Sequence, residues 1–444
     1  MRFEDLTGRR VVIWGAGREG HAAAEALAAR GLTAPIVVTG GPAPQGALGG
    51  DAALAALAEA DVVVASPGIP HTSPEWQALR ARGAALTSLT DLWLTANRER
   101  VIGVTGTKGK STTAALTRHI LASCGVSASL VGNLGTPVTH EDPPGAHVAV
   151  EEISSYQAAS LTCSPAIAVL TSLYPEHIPW HGSFEQYVAD KLRICAFGPR
   201  AVVVPDRAGT VWEWLSRLQP EAAARATTPA DLGLEAMVPD DDAPRSAFAG
   251  LRWAHVGELP QERIPVRGHH NWVNATLALA AVDATGLVPD RAAALAAVAS
   301  FHALPHRLEV IPAADPRLWV DDSLATNPQA VAASLEAFAH QSVALVAGGS
   351  ERNLPFAPLG EYLRGRRAPV HAVLLGPAGE RMLREIGDAF ASARHFDHLA
   401  DAVGALRADP ALTDVVLLSP GAPSFDEFGS YEERSAAFRA AARA

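Results

Sequence analysis

Residues 100–125, RVIGVTGTKGKSTTAALTRHILASCG, leave the chain little choice of fold. Strand-forming residues Val101–Thr105 run into closely spaced glycines and then into a helical stretch opening near Lys110. A strand that turns on glycine into a helix begins a βαβ unit, and such units build parallel sheets covered by helices. The turn also carries chemistry. Gly109-Lys110-Ser111-Thr112 matches the close of a P-loop, in which backbone amides cradle phosphate, the lysine reaches the β- and γ-phosphates and the hydroxyl ligates Mg²⁺. The standard spacing asks for glycine at 104, where this chain has Val104; its glycines fall at 103, 106 and 109. Gly106, Thr107 and Lys108 complete the loop, so residues 106–112 are the expected ATP-phosphate site.

The same alternation of short β-branched runs and longer amphipathic ones recurs in three blocks along the 444 residues, without a solenoid repeat. The reading is α/β with three domains: a Rossmann-like domain over 1–98, a central P-loop domain over 99–303 and a second Rossmann-like domain over 304–444. The first block, RRVVIWGAGREGHAAAEALAARG, places Gly15, Gly17 and Gly20 in a G-x-G-x-x-G turn between strand and helix, a phosphate-binding arrangement. A dinucleotide enzyme would need a carboxylate after the second strand for a ribose hydroxyl. That strand, APIVVTGGPAP, ends at Thr39, which favours a different phosphate ligand. ADVVVASPGIP then delivers Ser66, Pro67 and Gly68 at a strand's carboxyl end, where α/β sheets bind ligands.

Two further strand ends follow the P-loop. AHVAVEEISSYQ delivers Glu151 and Glu152, and AIAVLTSLYPEHIPWHG delivers Glu176, His177 and His181. Carboxylates and imidazoles so placed are natural ligands for a nucleotide-bound metal. Neighbours on a strand face opposite ways, so one residue of each adjacent pair is expected in the site.

The cationic residues are unevenly chosen. Of 36 lysines and arginines only Lys108, Lys110 and Lys191 are lysine. Ser183 and Gln186 form an S-x-x-Q capping box, so a helix starts at about Phe184, with Phe184, Tyr187, Val188, Leu192 and Cys195 as its apolar stripe. Lys191 lies on that stripe. A chain that uses arginine wherever a long cationic stem suffices keeps a primary amine here for something guanidinium cannot do: to lose its proton and act as a base, or to add CO₂ as a carbamate.

Bulk properties narrow the partners. A net charge of −11 argues against a phosphodiester-gripping protein. Cys124, Cys163 and Cys195 are scattered without metal-ligand spacing and read as reduced thiols. No signal core or membrane-length apolar run is present, so a cytoplasmic chain without membrane insertion is expected.

Taken in order, GVTGTKGKSTT, VGNLG, EEISSYQ, YPEHIPWHG, ADKLR, RGHHNWVNA, ALPHRLE, DDSLATNP and LLSPGAPSFDEF resemble the successive motifs of the Mur ligases over nearly the whole chain, nearest to the glutamate-adding MurD type. The resemblance implies ATP-driven addition of glutamate to UDP-N-acetylmuramoyl-L-alanine through an acyl phosphate, in peptidoglycan synthesis. By that resemblance Gly15, Gly17, Ser66, Pro67, Gly68, Asn133 and Ser154 serve the sugar nucleotide. Lys110, Ser111, Glu152, His177 and a carbamylated Lys191 serve catalysis and two metal sites, Mg²⁺ with the second also open to Mn²⁺. Asn271, Asn274, Arg307 and Asp322 are implied as further ATP contacts. Thr326, Arg352, Ser424 and Tyr431 are implied to serve the amino acid, in a third domain that closes over the site of a monomer.

One departure bears on specificity. The D-glutamate-adding type has lysine where this chain has Leu324. Lysine avoidance would have produced arginine there, so a lost cation points to carboxylates bound in another arrangement, and L-glutamate is the favoured substrate with D-glutamate as the alternative. A folylpolyglutamate synthetase shares the P-loop and the lysine but lacks a glycine-turn domain like residues 1–98. A NAD-dependent dehydrogenase would need the missing carboxylate after strand two, and a P-loop motor would leave the third block without purpose.

Overall fold

The computed structural model describes residues 1–40, 42–133, 138, 147–205, 209–227, 269–302, 304–408 and 413–443. Residues 134–135 of VGNLG, 267–268 of RGHHNWVNA and 303 of ALPHRLE lie outside the described residues.

Three sheets form, one per block. The first contains β1 (Val11–Trp14), β2 (Ile36–Val38), β3 (Ala47–Gly49), β4 (Val62–Ala65) and β5 (Ala85–Thr87), in the order β3-β2-β1-β4-β5. The second contains β6 (Val101–Thr105), β7 (Ala128–Gly132), β8 (Val148–Glu152), β9 (Ile167–Leu170), β10 (Ala201–Val203) and β11 (Ala226–Thr227), in the order β11-β10-β9-β6-β8-β7. The third contains β12 (Glu309–Ile311), β13 (Leu318–Asp321), β14 (Val343–Gly348), β15 (Val370–Leu375), β16 (Ser392–Phe396) and β17 (Val415–Leu418), in the order β12-β13-β17-β14-β15-β16. Among the described residues every pairing is parallel except β12 with β13.

The central strands are the apolar runs visible in the sequence, and they are buried along their whole length because helices cover both faces. In the third sheet Val320, Leu345, Leu374 and Leu417 pack to one side, while Trp319, Val346, Val373 and Val416 pack to the other. The strands without a clear sequence signal are sheet edges, with β10 as the exception. Edges such as β3 and β16 alternate between half-buried and exposed, so they lack a continuous apolar run.

The described residues fall into two compact units. One carries the first two sheets with residues Val273–Ser300, and the other carries the third sheet from Phe301 onward together with residues 269–272. Within each sheet, strand order decides which loops meet. In the first, β1 and β4 are neighbours at the point where the order reverses, so the Gly15 and Ser66 loops share one crevice. In the second, β6 lies between β8 and β9, which sets the P-loop between the loops that follow those strands.

Candidate active site

The first crevice is shaped by glycine. A Cβ on Gly15 (φ +114°) would stand 2.6 Å from Ser66 Oγ, and one on Gly20 would stand 1.9 Å from the Gly15 carbonyl oxygen. At Gly17 and Gly68, by contrast, an added Cβ would meet nothing within 4 Å, which leaves backbone open to an approaching ligand. Gly17 is the N-cap of the eleven-residue helix Arg18–Ala28, an arrangement that favours an anion. Thr39, at the end of β2, accepts a hydrogen bond from the Trp14 indole at 3.2 Å, so the ribose carboxylate of a dinucleotide site is replaced by a packing contact. Gln157 Nε2 donates to Glu19 Oε1 at 3.1 Å, tying this glycine turn to the EEISSYQ loop of the second sheet.

The P-loop curls over the end of β6. Gly106 has φ +149° and Gly109 has φ +87°, both in the region that favours glycine. Substituents there would strike Thr171 Oγ1 at 2.0 Å and Asn274 Oδ1 at 2.3 Å respectively. Thr107 N–H donates to the Ser172 carbonyl at 2.7 Å, and the Lys108 N–H donates to Ser172 Oγ at 2.9 Å. Lys110 Nζ donates to the Thr107 carbonyl at 2.9 Å, folding the lysine back over its own loop. Ser111 and Thr112, in the first turn of helix Lys110–Ser123, are buried. Asn274, on helix His269–Thr285, accepts a hydrogen bond from Thr113 Oγ1 at 3.3 Å, so it reaches the P-loop; Asn271 is buried one turn earlier.

The paired acidic residues separate as strand geometry requires. Glu152 Oε1 accepts a hydrogen bond from Asn133 Nδ2 at 2.8 Å, while its Oε2 is buried and has no hydrogen-bond partner among the described residues. Glu151 faces the other way, fully buried with neither oxygen bonded among the described residues, and burial followed by the Glu19 charge pushes its carboxyl well above the usual range. Glu176 pairs with Lys108 at 2.8 Å; burial, the largest influence, acts to raise this carboxyl, but the Lys108 charge and hydrogen bond together with the His177 and Lys110 charges hold the group below its ordinary value. His177 adopts a left-handed φ of 56° before the short helix Ile178–His181, with its ring 4.8 Å from that of Tyr156. Ser154 caps the helix Ser155–Ala158 in a reciprocal capping box with Gln157.

Lys191 is inside. Its helix, Phe184–Leu192, starts where Ser183 accepts a hydrogen bond from the Gln186 N–H. The reciprocal half of the expected box, Gln186 Oε1 accepting from the Ser183 N–H, is not made; the Gln186 side chain runs forward along the helix, where its Nε2 donates to Asp190 Oδ1 at 2.8 Å. Lys191 is 2% exposed and donates to the Gly106 carbonyl at 2.6 Å, so its amine touches the P-loop backbone. Burial first, and then the nearby Lys110 charge, hold the amine well below the ordinary lysine value. Tyr187, expected only on the apolar stripe, and His181, expected as a candidate metal ligand, instead fasten this helix. Tyr187 Oη lies 2.8 Å from Thr107 Oγ1, and His181 bridges Asp190 to Ser155. The i, i+3, i+4 spacing of Tyr187, Asp190 and Lys191 was the available signal.

The third sheet forms its own crevice, from the loops after β13, β14 and β17. Asp322 is 7% exposed and accepts from Ser334 Oγ at 2.5 Å, Ser419 Oγ at 3.1 Å and the Leu308 N–H at 3.2 Å; burial raises its carboxyl to about 6. It thereby supports the turn that carries Arg307, where His306 and Leu308 both have positive φ, 62° and 47°. Thr326 and Leu324 are half-buried on the loop after β13, and Arg352 is exposed after β14. Ser424 is buried after β17, and Tyr431 stacks edge-on to His306 at 5.6 Å. Arg434, which no motif singled out, pins these loops: its guanidinium donates to Ser323 Oγ and carbonyl oxygen and to the Ala422 carbonyl at 3.0–3.2 Å. His306, Glu309 and Asp321 cluster in the manner of metal ligands, but the Arg439 guanidinium donates to both carboxylates and so already supplies a cation there.

Comparison with known proteins agrees with this geometry. Residues 104–282 match the Mur ligase middle domain and residues 306–421 the Mur ligase glutamate ligase domain. The chain is 40% identical, over its full length and 98% of the relative, to a UDP-N-acetylmuramoyl-L-alanine–L-glutamate ligase of Micromonospora sp.. Proteins of the same name from Salinispora tropica and Xanthomonas axonopodis pv. citri are 38% and 36% identical, over 100% and 99% of this chain and 99% and 96% of theirs. In fold it is similar to MurF of Thermotoga maritima solved with ADP, at TM-score 0.56 and 18% identity over 99% of this chain and 96% of that one. It is likewise similar to MurC of the same organism, at TM-score 0.56 and 16% identity over 97% and 98%. With family domains matched over both the P-loop sheet and the third sheet, and relatives aligned from end to end, this chain belongs to the Mur ligase family.

Proposed function

We propose that this protein is an ATP-dependent ligase of peptidoglycan precursor synthesis that joins L-glutamate to UDP-N-acetylmuramoyl-L-alanine. The observation that carries the reading is the Lys191 amine, buried against the Gly106 carbonyl of a P-loop, where burial and the Lys110 charge disfavour its charged form. Relatives that share the whole chain carry that activity in their names.

The three domains are taken as residues 1–98, 99–303 and 304–444. The first crevice, with Gly15, Gly17 and Ser66–Gly68, holds the UDP end of the substrate, and Asn133 and Ser154 serve its sugar and peptide end. Gly106–Thr112, with Asn271, Asn274, Arg307 and Asp322, hold ATP. The γ-phosphoryl group passes to the terminal carboxylate of the substrate, and ADP leaves. The glutamate amine then attacks the acyl carbon, inorganic phosphate departs and the ammonium proton is released. The chain's task is to balance charge on two phosphorylated species and to keep water from the acyl phosphate.

The residues around the P-loop fit divalent cations. Glu152 Oε2 is a buried acceptor without a partner among the described residues. An uncharged Lys191 amine can add CO₂ with loss of a proton, which turns a base into an anionic oxygen donor. Ser111, Glu152, His177 and carbamylated Lys191 would hold Mg²⁺ at two positions, the second also open to Mn²⁺, and the ions would supply neutralising charge to the phosphoryl groups. Thr326, Arg352, Ser424 and Tyr431 take the amino acid. Leu324 in place of a cation is the reason for preferring L-glutamate.

The enzyme is placed in the cytoplasm as a monomer; among the described residues no helix is long and apolar enough to cross a membrane. Phosphate release measured with UDP-N-acetylmuramoyl-L-alanine and each enantiomer of glutamate tests the reading. Release that needs both substrates and prefers L-glutamate is expected. Preference for D-glutamate would refute the Leu324 argument, and release without the sugar nucleotide would refute the ligase itself.

A further inference from the structure

His181 sits in a buried relay whose three members have no assigned role. Its Nδ1 lies 2.6 Å from Asp190 Oδ2 and its Nε2 lies 3.0 Å from Ser155 Oγ. Ser155, His181 and Asp190 are 3%, 3% and 6% exposed. A carboxylate only accepts, so Nδ1–H donates to Asp190, which leaves Nε2 to share the hydrogen bond with the Ser155 hydroxyl. These are the residue types and distances of a hydrolytic triad, but there the serine faces its substrate. Here Ser155 is sealed in the first turn of the short helix capped by Ser154, so the relay can transmit position and has no acyl group to attack.

Its position is informative. Ser155 lies three residues after Glu152, on the loop leaving β8, and Asp190 directly precedes Lys191. Gln186 Nε2 holds the second Asp190 oxygen at 2.8 Å, and the His181 ring is parallel to Tyr156 within 3°. The relay therefore joins the loop of one candidate metal ligand, Glu152, to the helix of another, Lys191, independently of the P-loop contacts made by Tyr187 and Lys191 themselves.

We propose that Ser155–His181–Asp190 is a positioning relay, with His181 at its centre, that holds the Glu152 loop and the Lys191 helix in the register a carbamate–metal site needs. This rests on the carbamate reading of Lys191. Partners of this kind behind metal ligands typically govern about 10–100-fold in metal affinity.

The test uses full-length enzyme in ¹³C-bicarbonate, with the carbamate read by ¹³C NMR before nucleotide is added. Mn²⁺ affinity is then measured in the presence of a non-hydrolysable ATP analogue. Wild type should give one lysine carbamate signal that Lys191→Met lacks. His181→Phe keeps a flat ring beside Tyr156 but cuts both hydrogen bonds. It should lower carbamate occupancy at limiting bicarbonate and weaken Mn²⁺ binding about tenfold, while affinity for the metal-free analogue stays within about twofold of wild type. Ser155→Ala cuts one link and should show a smaller loss in the same two readouts. A folded His181→Phe with wild-type carbamate and Mn²⁺ affinity overturns the relay, as does an equal loss of analogue binding. Should His181→Phe fail to fold, Ser155→Ala decides, and wild-type values there overturn it. Absence of the signal from wild type refutes the carbamate and the relay together, which separates that failure from one of the relay alone.

Discussion

Replacing Lys191 by methionine should separate stability from activity. The amine is 2% exposed and has the Gly106 carbonyl as its hydrogen-bond partner at 2.6 Å. In the unfolded chain it is an ammonium up to about pH 10.4; in the folded chain burial holds it well below that. The native state therefore binds fewer protons than the unfolded state, so the group's contribution to stability is present above the unfolded value and is lost as pH falls toward the folded one. Through that window wild-type stability should gain about 1.4 kcal/mol per pH unit from this residue alone. Methionine has a similar length and nothing to protonate, and it loses a hydrogen bond worth about 1 kcal/mol net. Relative to the variant, the wild-type melting transition of the unit carrying the first two sheets should climb roughly 3–5 °C per pH unit as pH rises toward the unfolded lysine value. Scanning calorimetry in CO₂-free buffer gives the difference directly, since carbamate formation would otherwise add its own stabilisation. The variant should release no phosphate. A wild-type-minus-variant difference that does not change with pH would show that the amine enters the fold without a protonation penalty, and the argument for its chemistry would fail.

Other outcomes follow from the same reasoning. Asp322→Asn should stabilise the third-sheet unit by about 1–3 kcal/mol at pH 8, because the native carboxyl, raised to about 6, is ionised there against its surroundings. The gain should fade as pH falls through 6 toward 4, and denaturant melts at the two ends of that range would reveal a wrong sign. Gly109→Ala places a Cβ 2.3 Å from Asn274 Oδ1 at φ +87°, with a backbone cost of about 1–2 kcal/mol. ATP affinity by calorimetry should fall at least tenfold, and unchanged affinity would mean that the loop is not the phosphate cradle. Leu324→Lys should move the ratio of kcat/KM for D- over L-glutamate upward by about tenfold or more, the value of one charge-assisted hydrogen bond; a ratio that stays put removes position 324 from the specificity argument.

The sequence by itself determined what depends on a few neighbouring residues. The Gly106 and Gly109 turns, the Ser183 cap and the alternation that makes each block a parallel sheet are local, because backbone sterics and helix-end hydrogen bonds act within about a turn. Residue chemistry also survives translation into text: a lone lysine among arginines on the Lys191 stripe already argued for an amine. Tertiary structure alone decided which strand ends meet. β6 between β8 and β9 brings Glu152, Lys191 and the P-loop together from positions far apart in the chain, and no local rule specifies that order. It turned Glu152 toward Asn133 and Glu151 away, sent Gln186 to Asp190 in place of its own helix cap, and gave His181 to Ser155 in place of a metal. Arg434 had no signal at all, since a helix-face arginine reads as solvated until the loops after β13 and β17 close around it. Hydrogen bonds between distant segments form only after the sheets have paid the entropy of bringing those segments together, so their partners are a property of the fold.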